Sequence, residues 1–97
     1  MNTKKKKKIL IITHDAGGGN ILLEYVLKYE KKYKFFCYAV GPAKKLFTKN
    51  KIRTISKPSL EEIDLVLTGT SGSSEIEIKY IEKAKRRNIK TATYSYF

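Results

Sequence analysis

Apolar and polar positions along the chain change period several times, and each change marks a boundary. Residues 8–13 are a nearly continuous apolar run, the pattern of a strand covered on both faces. Residues 20–32 place Ile21, Leu22, Tyr25, Val26 and Tyr29 on one stripe, which predicts a helix with a single buried side. An aromatic and β-branched run at 35–40 predicts a second strand, stopped by Gly41-Pro42. Pro42 suits the start of a helix over 42–49, with Ala43, Leu46 and Phe47 turned inward.

Residues 52–55 predict a short third strand, and Ser59 and Glu62 then have capping-box spacing for about one helical turn. A fourth strand is expected at 64–68 around Leu65-Val66-Leu67, followed by the longest helix at 74–87, with Ile76, Tyr80, Ile81 and Ala84 inside. Asn88 fits a left-handed cap of that helix, and residues 91–96 predict a fifth strand.

Strands alternating with helices imply an α/β fold: a Rossmann-like open parallel sheet of about five strands, in the order 3-2-1-4-5. The first two helices fall on one face. The other face is left to the last helix and the short 59–63 turn, which predicts a thin covering there. The chain stops at Phe97, directly after the fifth strand and without the helix that normally follows one. The expectation is therefore one Rossmann-like domain over residues 1–97, truncated at its C-terminus, as the front part of a longer protein or a truncated gene product.

Two glycine-rich turns stand at the ends of central strands, where ligands bind in open parallel sheets. The first is His14-Asp15-Ala16-Gly17-Gly18-Gly19-Asn20, and the second is Thr68-Gly69-Thr70-Ser71-Gly72-Ser73-Ser74. With a helix expected to open near Asn20, the N–H groups around Gly17, Gly18 and Gly19 make a cradle for an anion. The same glycines also suit a plain strand-to-helix turn at the surface. On the cradle reading, with the turn at the surface, a bulky residue at Gly18 costs ligand binding more than it costs the fold. The spacing is neither the dinucleotide fingerprint nor a P-loop, so no cofactor is expected.

The second turn offers the hydroxyls of Thr68, Thr70, Ser71, Ser73 and Ser74 together with Gly69 and Gly72, a set that suits phosphate or sugar oxygens. Ser73 or Ser74 also serves as a helix cap, and Glu75 and Glu77 suit the helix's positive end. His14, the only histidine, lies beside Asp15 at a strand end, which makes the two the candidate acid/base residues. Neighbours on a strand point to opposite faces, so the two share a proton only if the chain turns between them. One His and one Asp are too few for a metal site.

Charge and cysteine content narrow the partners. Lys and Arg number 21 against 9 Asp and Glu, a formal charge of +12, and the densest patch is the run at 4–8. That run has no interleaved aromatics or arginines and points poorly to nucleic acid. Contact with an anionic membrane surface fits the charge, as do solvated lysines on polar helix faces. Cys37 is the only cysteine, which excludes an intrachain disulfide, and its neighbours mark it as a small core residue. No signal peptide or span of about 20 apolar residues is present, so the cytoplasm is the expected location.

The run Ile-Leu-Ile-Ile-Thr-His-Asp-Ala-Gly-Gly-Gly-Asn, the later Gly-Pro-Ala with Phe47, and Asp-Leu-Val-Leu-Thr-Gly-Thr-Ser-Gly-Ser-Ser-Glu-Ile-Glu together resemble a known domain. It is the N-terminal Rossmann-like domain of bacterial surface-polysaccharide biosynthesis proteins of the GT-B type. That group includes glycosyltransferases and proteins like UDP-N-acetylglucosamine 2-epimerase and CDP-glycerol glycerophosphotransferase. The resemblance implies an acceptor-side domain that is inactive alone, facing a second domain that holds most of a nucleotide-sugar pocket. It also implies that His14, Asp15 and Gly17 to Gly19, with residues 68–74, line the cleft. The implied partners are a nucleotide sugar or phosphorylated small molecule and a second domain or another copy of the chain. The alternative is a small non-catalytic module that binds a nucleotide, sugar phosphate or other phosphorylated ligand.

Overall fold

The structure, a computed structural model, describes residues 6–69 and 75–93. Its elements run β1 (Lys8–Thr13), α1 (Ala16–Tyr29), β2 (Lys34–Ala39), α2 (Gly41–Lys49), β3 (Leu65–Thr68), α3 (Glu75–Arg86) and β4 (Lys90–Thr93). The four strands form one parallel sheet in the order β2-β1-β3-β4. β1 lies inside the sheet with a helix layer on each face, which is why Ile9 to Ile12 are all buried.

Side-chain alternation divides the core in two. Ile9, Ile11 and Leu67 point toward α1 and α2, where Leu22, Val26 and Phe47 meet them. Leu10, Ile12 and Val66 point the other way, against Ala84 of α3 and Leu60 and Ile63 of the preceding turn. The second face, expected to be thinly covered, is closed by that turn together with Tyr80 and Ile76 packed at its margin.

Five strands in the order 3-2-1-4-5 are not what forms. Residues 52–55 are not a strand; Ile55 alone donates its N–H to the Cys37 carbonyl of β2, at 2.9 Å. Pro58, which lacks an N–H, soon follows, so the segment has no length in which to build a ladder. It still covers the β2 edge, with Ile52 packed on the first core and Ile55 on the second. The capping box at 59–62 also gives way. Ser59 Oγ accepts the Glu61 N–H at 3.2 Å, but Glu62 stands at φ 62° and its carboxylate pairs with Lys8 Nζ at 2.8 Å.

The first helix begins four residues earlier than its apolar stripe predicts. Gly19 N–H donates to the Asp15 carbonyl at 2.8 Å, so Gly17, Gly18 and Gly19 are helical residues of the first turn. Packing explains two of them. Gly18 and Gly19 are buried, and a Cβ on Gly19 would stand 2.9 Å from Ala43 Cβ of α2. Gly18 Cα in turn lies 3.1 Å from the Cβ position of Gly69. Gly18 is therefore a buried residue of the first helical turn rather than part of an exposed loop.

Both α2 and α3 end in the same hydrogen-bonded cap. After α3, Asn88 at φ 59° donates to Lys85 and Ile89 donates to Ala84, as the sequence predicts for Asn88. After α2, Lys51 occupies the corresponding position at φ 62°, with its N–H on Thr48 and that of Ile52 on Phe47. Lysine pays a steric penalty there that glycine does not, so Lys51→Gly is expected to raise stability by about 0.5–1 kcal/mol. A urea midpoint that falls instead would show that the lysine side chain contributes more than the backbone strain removes.

Cys37 is 2% exposed, and burial pushes its thiol from 9.0 up to about 12. The folded state keeps the proton while an unfolded chain loses it near pH 9, so this contribution to stability is complete below pH 9 and is lost as pH rises toward 12. The stability difference between the wild type and Cys37→Ala should shrink across that window. A difference independent of pH between 8 and 11 would contradict it.

Candidate functional site

β1, β2 and β3 end on the same side of the sheet, and α1, α2 and α3 start there. That edge therefore gathers three helix N-termini with their positive dipole ends. β1 stops at the fully buried Thr13, and the chain turns before Ala16. The turn meets the condition for cooperation between the two neighbours: His14 Nδ1 and Asp15 Oδ1 are 2.9 Å apart. Both side chains remain nearly half exposed, at 47% and 45%, so they are available to a ligand.

The imidazole is held from below by α2. Gly41, at φ 57°, has its Cβ position only 3.1 Å from His14 Nε2, so any side chain at 41 would collide with the ring as well as strain the backbone. The backbone fixes the same junction. Val40 N–H donates to the Thr13 carbonyl at 3.0 Å and Ala43 N–H to the His14 carbonyl at 3.1 Å. The second bond satisfies one of the N–H groups that the start of α2 leaves without a helical partner. Asp15 stands at the N-cap of α1 but makes no side-chain cap, and its carboxylate faces His14 instead.

His14 and Asp15 form one wall of a cleft of about 630 Å³, closed by Tyr38 and Val40 of the β2 end and by Glu75, Ile76 and Lys79 of α3. Its polar groups are mixed in sign. Two carboxylates accept hydroxyl protons, while Lys79 and the imidazole donate to oxygens, a combination that suits a polyhydroxyl ligand carrying a phosphate. The cleft lies within the size range of small-molecule sites.

The other predicted site residues are distributed differently. Gly17 is exposed on the first turn of α1, with nothing within 4 Å of its Cβ position, and Asn20 is exposed one turn further on. Gly18 and Gly19 face the interior. Thr68 is 1% exposed, its hydroxyl 3.2 Å from that of Thr93 on β4, which places it beneath the edge. Gly69 N–H donates to Glu77 Oε2 at 2.8 Å. Thr70, Ser71, Gly72, Ser73 and Ser74 lie outside the described residues.

Several participants are absent from the sequence reading of the site, Val40, Glu75 and Ile76 of the cleft wall among them. Tyr38 shares a sheet face with Phe36, and Lys79 follows Glu75 by one helical turn, so both were accessible from periodicity once the cleft's face was known. Glu77 is another. Only 4% exposed, it carries its carboxylate back from the first turn of α3 to the Gly69 backbone, tying the two ends of the intervening segment together. Among the described residues no cluster of His, Cys, Asp and Glu has the makings of a metal site, and no helix is long and apolar enough to cross a membrane. Comparison of the chain with protein-family models, curated proteins and solved structures found no match, so the reading of the cleft rests on its own residues.

Proposed function

We propose that this chain is the acceptor-side, Rossmann-like domain of a GT-B-like glycosyltransferase or related enzyme of surface-polysaccharide biosynthesis, inactive alone. The observation that carries the reading is the His14–Asp15 pair, held 2.9 Å apart at the end of β1 in a cleft with hydroxyl acceptors and one ammonium group. In this role the acceptor hydroxyl enters beside the pair and gives up its proton to Asp15 or His14. Its oxygen bonds to the activated carbon or phosphorus of a nucleotide-linked donor, and the nucleotide phosphate departs with the bonding electrons. Lys79 steadies negative charge that develops nearby. A second domain or a second copy holds most of the donor's nucleotide, and the donor's sugar or phosphate end reaches this cleft.

The second reading keeps the ligand and omits the reaction. Lys79 and the helix starts supply anion donors whether or not chemistry follows, which favours a module for a nucleotide, sugar phosphate or other phosphorylated molecule.

Equilibrium titration of the chain with UDP-N-acetylglucosamine, CDP-glycerol and glucose 1-phosphate tests the site, with His14→Ala as the control. The expected result is saturable binding to at least one of them, weakened about tenfold or more by His14→Ala without loss of folding. Equal affinity in both proteins would remove His14 from the site. Product formation on adding a saccharide acceptor and a donor-binding partner favours the transferase, and binding with no turnover favours the module.

A further inference from the structure

A second groove lies at the far end of α3 from the His14 cleft. It has a volume of about 630 Å³ and runs between the 58–61 turn and the last part of the helix, where Tyr80, Lys83, Arg86 and Arg87 form its wall. Lys83 precedes Arg86 by three residues and Arg87 by four, the two spacings that make neighbours on a helix surface, with Cβ atoms about 5–6 Å apart. The three cationic residues thus share one wall of the groove, with Arg87 one residue past the end of α3. None of them joins a salt bridge among the described residues. The one carboxylate on the lining is that of Glu61, on the opposite wall.

Helix energetics account for only part of this cluster. Cations near a helix C-terminus are favoured by a dipole equivalent to about half a charge, whereas three of them repel one another at these spacings. Concavity adds what a solvated helix face lacks: an anion seated in the groove meets all three groups at once. Two guanidinium forks match phosphate oxygens, and Lys83 adds a compact charge on the same wall.

We propose that this groove is an anion site for adjacent phosphate groups of a small molecule, a diphosphate in its simplest form, separate from the His14 cleft. The dimensions agree, because residues 83–87 span about one helical turn, which suits two linked phosphates better than a long backbone. Nucleic acid is the poorer occupant. Lys83 Nζ lies 5.1 Å from the centre of the Tyr80 ring and covers one of the two faces that stacking of a base would use. A lipid surface is poorer too, since the cations face into a groove and the exposed large apolar residues, Leu27 and Ile78, are not on its lining.

The test is a backbone NMR and calorimetric titration of the whole chain with sodium pyrophosphate at constant ionic strength. Saturable binding is expected, with the shifts concentrated at 58–61 and 83–89. Arg86→Ser with Arg87→Ser should weaken it by at least about tenfold, while Lys44→Ser with Lys45→Ser on α2, the same loss of charge, should change it by less than about twofold. Glu61→Gln should tighten the binding read at 58–61 and 83–89 and leave any shifts at the His14 cleft unchanged, which separates the two sites. Equal weakening by the two double variants would reduce the effect to net charge and overturn the proposal. So would the absence of saturation, or binding confined to phosphatidylglycerol vesicles or single-stranded RNA.

Discussion

Gly19→Val is expected to cost about 3 kcal/mol or more, a large part of the stability of a domain this small. The Cβ position at 19 stands 2.9 Å from Ala43 Cβ and 3.4 Å from Ala43 Cα, so the obstruction includes backbone as well as a methyl group. Ala43 is itself fully buried at the first turn of α2, and relief requires the two helices to separate. Separation would also pull on the bond from Ala43 N–H to the His14 carbonyl, carrying the damage to the site. Gly17, two residues earlier in the same helix, has open space around its Cβ position. There Gly17→Ala should stabilise by about 0.5–1 kcal/mol through helix propensity alone. Urea unfolding of the two variants separates packing from propensity, and changes of the same sign at both positions would contradict this assignment.

Asp15→Asn carries the largest expected effect on function. Under the acceptor-side reading, turnover in the assembled enzyme should fall by about 10²–10⁴-fold with little change in stability. Asparagine keeps the size of the side chain but removes the negative charge. As a base it no longer takes the acceptor proton, and as the partner of His14 it no longer offers a carboxylate oxygen to Nδ1. The side chain is nearly half exposed, so the fold depends little on it. Turnover close to that of the wild type would take Asp15 out of the reaction and leave His14 or the donor-binding domain to supply the base.

How much of this was readable in the chain depended on the range of the interaction that decides each feature. The apolar run of β1, the stripe of α3 and the left-handed Asn88 are local, and periodicity or cap chemistry reveals them. The early start of α1 is not local. Three consecutive glycines disfavour helix by propensity, yet Gly19 is fixed by Ala43 of α2 and Gly18 lies close against Gly69 beyond β3, contacts between segments distant in sequence. Residues 52–55 have strand-like composition, but edge pairing depends on the path imposed by Lys51 and Pro58 on either side.

The candidate site divides along the same line. His14 and Asp15 were visible as adjacent residues at a strand end, and their contact needed only a turn. Tyr38 and Lys79 reach the cleft through sheet order and helix placement, which no local pattern specifies. Glu77 was legible as an acidic residue suited to a helix start. Its bond to Gly69, eight residues back, depends on how the chain returns to the sheet edge.

The central claim is that a sugar- or phosphate-bearing molecule binds at the carboxyl edge of β1, against His14, Asp15 and Lys79. A backbone NMR titration with UDP-N-acetylglucosamine, CDP-glycerol and glucose 1-phosphate tests it most directly, because the shifts report where a ligand lands. The account predicts saturable shifts at His14, Asp15, Gly17 and Lys79 with at least one of the three. A folded chain whose edge residues do not move with any of them, whatever shifts arise in the groove at the far end of α3, would contradict it.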